Sequence, residues 1–254
     1  MTENRIVGET IDLIDVIFAG HKSFDTDVNE KRIEKARHKK AVMHISASIL
    51  ACDTFMLKES LQELQDAGCD SIHYDVMDGN FVEQISFGEK LCQEISEHTS
   101  LPIYVHLMVA NPERHARIFS QLNVHGISFH PSDVTQTERI VDLIKLNNKQ
   151  AGIAVTNDND VGIIARIPNI DHITLMTVTP GKCGQKFDSA MLDRVRKIKN
   201  CIKNDIKIFV DGGVNCNTIR ECVQCGVDRV VVGSYLFSGN ITERIKCLKA
   251  VEYG

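Results

Sequence analysis

Residues 71–77 read Ser71-Ile72-His73-Tyr74-Asp75-Val76-Met77 and run into Asp78-Gly79. In a strand, successive side chains point to opposite faces. His73, Asp75 and Met77 therefore share one face, and Ile72, Tyr74 and Val76 share the other. An inward-facing His-x-Asp pair on such an apolar run is expensive to bury unless both groups find partners.

Runs of the same kind recur on either side, at 44–50, 103–109, 126–130, 151–156, 172–178, 207–211 and 229–233. Between them lie amphipathic stretches at Thr54–Ala67, Pro112–Leu122, Thr137–Leu146, Ser189–Lys203 and Asn217–Cys225, with Asp158–Ile167 the least regular. Strands that alternate with helices pair in parallel, because parallel neighbours need a crossover. Eight strand–helix units of about 25 residues fill 43–252, the size and count of a closed barrel. An open sheet needs the same local patterns, so the count carries the argument: the expectation is an α/β chain folded as a single (β/α)8 TIM barrel over 41–254. Residues 1–40 carry no strand pattern and end in a basic run from Lys31 to Lys40. They form an N-terminal extension that reads as a solvated helix; composition does not separate this from an oligomer arm or a mobile tail.

Of the 254 residues, 43% are hydrophobic and 25% charged, the balance of a folded globular chain. Lys and Arg number 29 against 34 Asp and Glu, for a formal charge of −5. Such a chain has no basic field to hold a nucleic-acid backbone. No apolar run reaches the roughly 18 residues that suggest a membrane-spanning helix, and acids interrupt the apolar stretch at the N-terminus, so no signal peptide is read there. A cytoplasmic protein without nucleic-acid or membrane partners is expected. The nine cysteines are then expected to be reduced thiols. Cys222 and Cys225 form a C-x-x-C pair near Cys216, without the second pair or histidines that a zinc site requires, and read as structural.

A (β/α)8 barrel collects its active site at the C-terminal ends of its strands. There the sequence offers His73 and Asp75 on the second strand, His106 on the third, Asp211 at the end of the seventh and Ser48 on the first. Two imidazoles and two carboxylates converging on one point suit a single divalent ion, Zn, Fe, Mn or Co, among which the residues do not choose. A second group of residues suits phosphate. Glycine-containing loops follow strands six, seven and eight: Gly181 and Gly184, Gly212-Gly213, and Gly233-Ser234. Glycines let backbone N–H groups approach an anion closely. An ion beside two carboxylates, with a phosphate grip across the barrel mouth, suits proton removal next to a carbonyl. Removal on one face and return on the other inverts the carbon, which is epimerisation.

The chain resembles the ribulose-phosphate 3-epimerase family. The resemblance is carried in order by Ser48-Ile49-Leu50, His73-Tyr74-Asp75-Val76-Met77-Asp78-Gly79, Phe81-Val82, Val105-His106-Leu107-Met108-Val109, Phe129-His130, Met176-Thr177-Val178, Pro180-Gly181, Gly184-Gln185-Lys186-Phe187, Val210-Asp211-Gly212-Gly213 and Gly233-Ser234. It implies that His73, Asp75, His106 and Asp211 are metal ligands, with Asp75 and Asp211 the proton-transfer pair. It implies that Ser48 binds substrate and that Met77, Met108 and Met176 ring the reacting centre. Gly184, Gly212, Gly213, Gly233 and Ser234 match the family's phosphate grip. A homo-oligomer interconverting D-ribulose 5-phosphate and D-xylulose 5-phosphate is the implied enzyme; relatives act on allulose 6-phosphate.

The chain departs from the family around the sugar. Asn80, Glu83 and Gln84 stand where the family usually has His, Pro and Asn; Lys182 and Cys183 replace Phe and Gly; and Thr156-Asn157-Asp158-Asn159-Asp160 replaces Asn-Pro-x-Thr. A hexulose 6-phosphate is therefore the near alternative substrate. A barrel lyase or decarboxylase would place a lysine on the His73–Asp75 face, and a non-catalytic binding protein would have lost a ligand or carboxylate; neither feature is present.

Overall fold

A computed structural model describes residues 43–202 and 206–251. The strands are β1 (His44–Ser48), β2 (Ser71–Met77), β3 (Ile103–Met108), β4 (Gly126–Phe129), β5 (Gln150–Val155), β6 (His172–Met176), β7 (Lys207–Asp211) and β8 (Arg229–Val232). They pair in parallel, in sequence order, and β8 closes on β1. The α-helices are α1 (Leu57–Asp66), α2 (Glu89–His98), α3 (Pro112–Phe119), α4 (Val134–Leu146), α5 (Asp158–Ile164), α6 (Asp193–Cys201), α7 (Ile219–Gln224), the short α8 (Ser234–Phe237) and α9 (Ile241–Lys249). The (β/α)8 TIM barrel expected from the strand count is what the chain forms. The extension 1–40, its basic run included, lies outside the described residues.

Six of the eight strands end one or two residues before the sequence pattern does, and β2 and β7 end with it. Residues 49–51 turn into a 3-10 helix, and Val109, His130, Thr156 and Gly233 leave the ladder. Val109 and Thr156 are β-branched and extend the pattern, but the chain turns there into the loops of the barrel rim. Two helix starts are set by caps rather than by periodicity. Asp133 accepts from the Gln136 N–H, so α4 begins three residues before the expected Thr137. The irregular stretch at 158 becomes α5 through a capping box between Asn157 and Asp160, built from the segment that departs from the family.

The two faces of each strand have different work. Outward residues such as Ile72, Tyr74, Val105, Ile127, Ile153 and Val210 are fully buried against the helices, and the Tyr74 hydroxyl donates to the Gly88 carbonyl at 2.7 Å. Inward residues fill the barrel, and near its floor they are aromatic and basic. The His172 ring stacks on Phe209 with centroids 4.5 Å apart. The Arg229 guanidinium lies 4.0 Å from the Tyr104 ring centroid and 4.4 Å from that of Phe209. Burial, then the Arg229 charge, pushes the His172 imidazole down to about 3, so this ring packs neutral.

The floor closes only because β5 gives it room. A Cβ on Gly152 would sit 2.1 Å from His172 Nε2. Gly152→Ala is expected to cost about 1–3 kcal/mol, the usual range for overpacking a core, measured as a lower midpoint in denaturant at unchanged slope. A midpoint equal to that of the native chain would show that the ring moves aside freely.

Candidate metal and substrate site

The parallel register of β2 and β3 sets Asp75 beside His106, both facing the barrel axis. Closure of the sheet brings Asp211, at the end of β7, over to meet them. His73 Nε2 lies 3.2 Å from Asp75 Oδ1 and 3.2 Å from Asp211 Oδ2. His106 Nδ1 lies 3.4 Å from the same two oxygens. One ligand atom from each residue falls within 4.8 Å of all the others. The four residues singled out in the sequence therefore converge on one point.

A divalent ion fits this donor set. His73 Nε2 and His106 Nδ1 are buried and, despite the carboxylates nearby, have no properly angled hydrogen-bond partner. Buried polar atoms without partners are rare and call for an explanation. Each of the two imidazole nitrogens lies 3.2–3.4 Å from both carboxylate oxygens, so one ion could contact all four, and nitrogen with carboxylate oxygen suits Zn, Fe, Mn or Co.

Charge shapes the same group. Burial works against ionising Asp75 and Asp211, but the imidazoles overcome it and hold both carboxyls below the usual carboxylate range. Burial likewise lowers His73 and His106, yet the two carboxylates outweigh it: His106 is raised, and His73 is raised to about 10. Without an ion, a proton on the His73 ring supplies positive charge beside the carboxylates.

Surrounding groups hold the Asp75 carboxylate, the backbone of both aspartates and the His106 ring in place. The Ser48 hydroxyl donates to Asp75 Oδ2 at 2.8 Å. Ser86 donates to the Asp75 carbonyl at 2.6 Å and accepts from the Met77 N–H at 2.9 Å. The Thr177 N–H donates to the Asp211 carbonyl at 2.8 Å, and its hydroxyl to the Gly212 carbonyl at 2.7 Å. His130, just past β4, places Nε2 3.1 Å from His106 Nε2. Ser86 and the His130 contact were not singled out from the sequence. Period two along β4 does turn His130 inward; Ser86 sits in a loop where no periodicity applies.

Above the carboxylates opens a cavity of about 420 Å³. Ser48, Asp75, Met77, Met108, Met176, Asp211, Gly181, Gly184, Gly212, Gly213, Gly233 and Ser234 all line it, which gathers every substrate-binding candidate around one space. His73 and His106 lie beneath, buried. Gly213 adopts φ +67°, and a Cβ there would meet the Phe187 backbone nitrogen at 2.4 Å, so the β7 loop passes against the β6 loop with no room for a side chain. Gln185 Nε2 ties the β6 loop together by donating to the Thr179 and Lys182 carbonyls.

Two departures from the family pattern meet in space: Lys182 Nζ lies 3.4 Å from Glu83 Oε2, linking the loops after β6 and β2. One expectation fails. Cys216, beside the cavity, forms a disulfide with Cys247 of α9, their Cα atoms 6.2 Å apart. The expectation of reduced thiols followed from the cytoplasmic reading, and sequence spacing does not show that the last helix returns to the β7 loop. The other cysteines are free, including Cys222 and Cys225; the described residues hold no other cluster with metal-ligand character.

A sequence model described as the ribulose-phosphate 3 epimerase family matches residues 44–237. The chain belongs to the ribulose-phosphate 3-epimerase family. Ribulose-phosphate 3-epimerase of Aquifex aeolicus is 36% identical over 203 residues, covering 78% of this chain and 91% of that one. The enzyme of the same name from Chlamydia muridarum is 34% identical over 225 residues, covering 85% and 99%, and that from Methanocaldococcus jannaschii is 36% identical over 200 residues, covering 77% and 85%. Among solved structures, 3-hexulose-6-phosphate synthase from Salmonella typhimurium aligns with a TM-score of 0.65 at 14% identity, over 82% of this chain and 98% of that one. The tryptophan synthase α-subunit of Pyrococcus furiosus aligns with a TM-score of 0.60 at 15% identity, over 83% and 98%. These two share the fold. Membership makes this epimerase-family chain an isomerase-class enzyme acting on a sugar phosphate. No helix among the described residues is long and apolar enough to cross a membrane.

With His73 raised to about 10, its ring is protonated at neutral pH when no ion is present. Its ion pairing stabilises the metal-free fold fully below about pH 6.5, the ring's ordinary value, and that contribution is lost as pH rises through about 10. An ion needs the unprotonated ring. Adding zinc to metal-free protein at pH 7 in weak buffer should release at least one proton per ion, read with an indicator dye. Uptake without proton release would contradict this protonation state.

Proposed function

We propose that this chain interconverts D-ribulose 5-phosphate and D-xylulose 5-phosphate by moving a proton at C3, using one divalent ion held by His73, Asp75, His106 and Asp211. The observation that carries the proposal is the convergence of two partnerless imidazole nitrogens and two carboxylate oxygens beneath the cavity. When bound, the ion would act as a Lewis acid, polarising the substrate carbonyl and offsetting the negative charge that grows as the C–H bond breaks.

The chain's own groups do the rest. Asp75 and Asp211 both line the cavity and enter it from strands on different sides, β2 and β7. One carboxylate takes the C3 proton while the other returns a proton to the opposite face; the roles exchange in the reverse direction. The pair needs an exact stance, and the Ser48 hydroxyl supplies part of it for Asp75. Met77, Met108 and Met176 surround the reacting carbon with polarisable, water-excluding sulfur. The backbone of the loops after β6, β7 and β8 grips the phosphate at the far end, with Gly181, Gly184, Gly212, Gly213, Gly233 and Ser234 leaving space for it. The only lysine lining the cavity among the described residues is Lys182, out on the β6 loop, which gives a lyase or decarboxylase no amine beside Asp75. We assign this chemistry to a domain spanning 41–254, with 1–40 as an extension, and infer a homo-oligomer, consistent with the exposure of Phe55 (95%) and Ile85 (80%) on the loops after β1 and β2.

Metal-loaded protein given ribulose 5-phosphate should form xylulose 5-phosphate. Turnover of a hexulose 6-phosphate alone would move the substrate assignment, and turnover of neither would reject the proposal. Asp75→Asn and Asp211→Asn should each lower kcat by about 10²–10⁴, the usual contribution of a positioned acid or base. A loss below tenfold in either would remove that residue from the proton-transfer pair.

A further inference from the structure

His130, to which the proposed function gives no role, contacts one of the proposed metal ligands. Its Nε2 lies 3.1 Å from His106 Nε2, with ring centroids 5.1 Å apart, and its ring packs on Phe81 at 4.8 Å. The contact uses the imidazole nitrogen of His106 that faces away from Asp75 and Asp211; Nδ1 faces them.

The tautomers follow from this geometry. To bind an ion through Nδ1, neutral His106 must carry its proton on Nε2. That N–H points at His130 Nε2, which can accept only if the His130 proton sits on Nδ1. The opposite arrangement, with His130 donating, puts the His106 proton on Nδ1 and blocks the lone pair the ion requires. A histidine ligand's other nitrogen is ordinarily fixed by a carboxylate, carbonyl or water; here a second histidine occupies that place.

We propose that His130 is a positioning residue: by accepting the His106 Nε2–H hydrogen bond, it holds His106 in the tautomer and orientation that present Nδ1 to the ion. This rests on the metal site of the proposed function and goes beyond it by adding a residue that touches neither the ion nor the substrate.

The test compares His130→Phe with His130→Gln. Phenylalanine keeps the ring against Phe81 but cannot accept; glutamine loses the ring but restores an acceptor oxygen near Nε2. Zinc affinity, read by competition with a chromophoric chelator and without any turnover, should fall roughly 10–100-fold in His130→Phe and largely recover in His130→Gln. The visible spectrum of the cobalt-loaded protein should change in the first variant and return towards native in the second. At saturating metal, kcat should recover more than the affinity does. If His130 serves only to pack, the order reverses, with phenylalanine harmless and glutamine damaging, and the proposal is overturned. Native protein that binds no metal would overturn both this inference and the proposed function, whereas native binding with an unaffected His130→Phe would overturn this inference alone. Should the variants not fold, the imidazole ¹⁵N–¹H pattern of the zinc-loaded native protein decides: protons on His106 Nε2 and His130 Nδ1 support the assignment, and the reverse pattern sinks it.

Discussion

Two carboxylates, Asp75 and Asp211, lie together at the inner end of the cavity, and neither can stay ionised there without positive charge close by. His73 and His106 are the groups placed to answer that demand, with protons on their rings or with lone pairs turned on a shared cation. The requirement reaches far into the architecture. Three of the four residues come from the adjacent strands β2 and β3, but Asp211 comes from β7, and in the sheet β8 and β1 stand between. The cluster exists only when β8 pairs with β1, so the charge balance of the site and the closure of the barrel are one condition. This explains why the barrel floor can be crowded with aromatic rings and a guanidinium while the rim carries the ionic chemistry: packing closes the cylinder, and closure assembles the site.

The work is divided around the rim. β2, β3 and β7 supply the charged groups, while the loops after β6, β7 and β8 supply glycine-lined backbone for an anion. The chain's departures from its family fall in the loops and spare the charged cluster. Some of them compensate locally. Asn157 and Asp160 build the cap that starts α5, and Glu83 and Lys182, which replace Pro and Phe, face each other across two loops. An exposed ion pair of this kind contributes little stability, so its interest is positional: it joins the β2 and β6 loops beside the cavity entrance.

Much of this was legible in the sequence because two periodicities carry it. Alternation along β2 put His73, Asp75 and Met77 on one face, and the count of strand–helix units made that face the inside of a barrel. What periodicity does not encode was not legible. The ends of β1 and β6 depend on where the rim flares. The early start of α4 depends on the Asp133 cap. The pairing of Cys216 with Cys247 depends on α9 returning beside a loop 31 residues earlier, and it departs from the reduced thiols expected of a chain read as cytoplasmic. His130 lies between these cases: its inward direction followed from β4, but its contact with His106 depends on the separation of two strands and on the rotamers of both rings.

Anomalous diffraction from crystals soaked in zinc would put the account at greatest risk. It predicts a single strong peak per chain within bonding distance of His73 Nε2, His106 Nδ1, Asp75 Oδ1 and Asp211 Oδ2. A peak bound elsewhere, with these four atoms bridged only by protons or water, would contradict it.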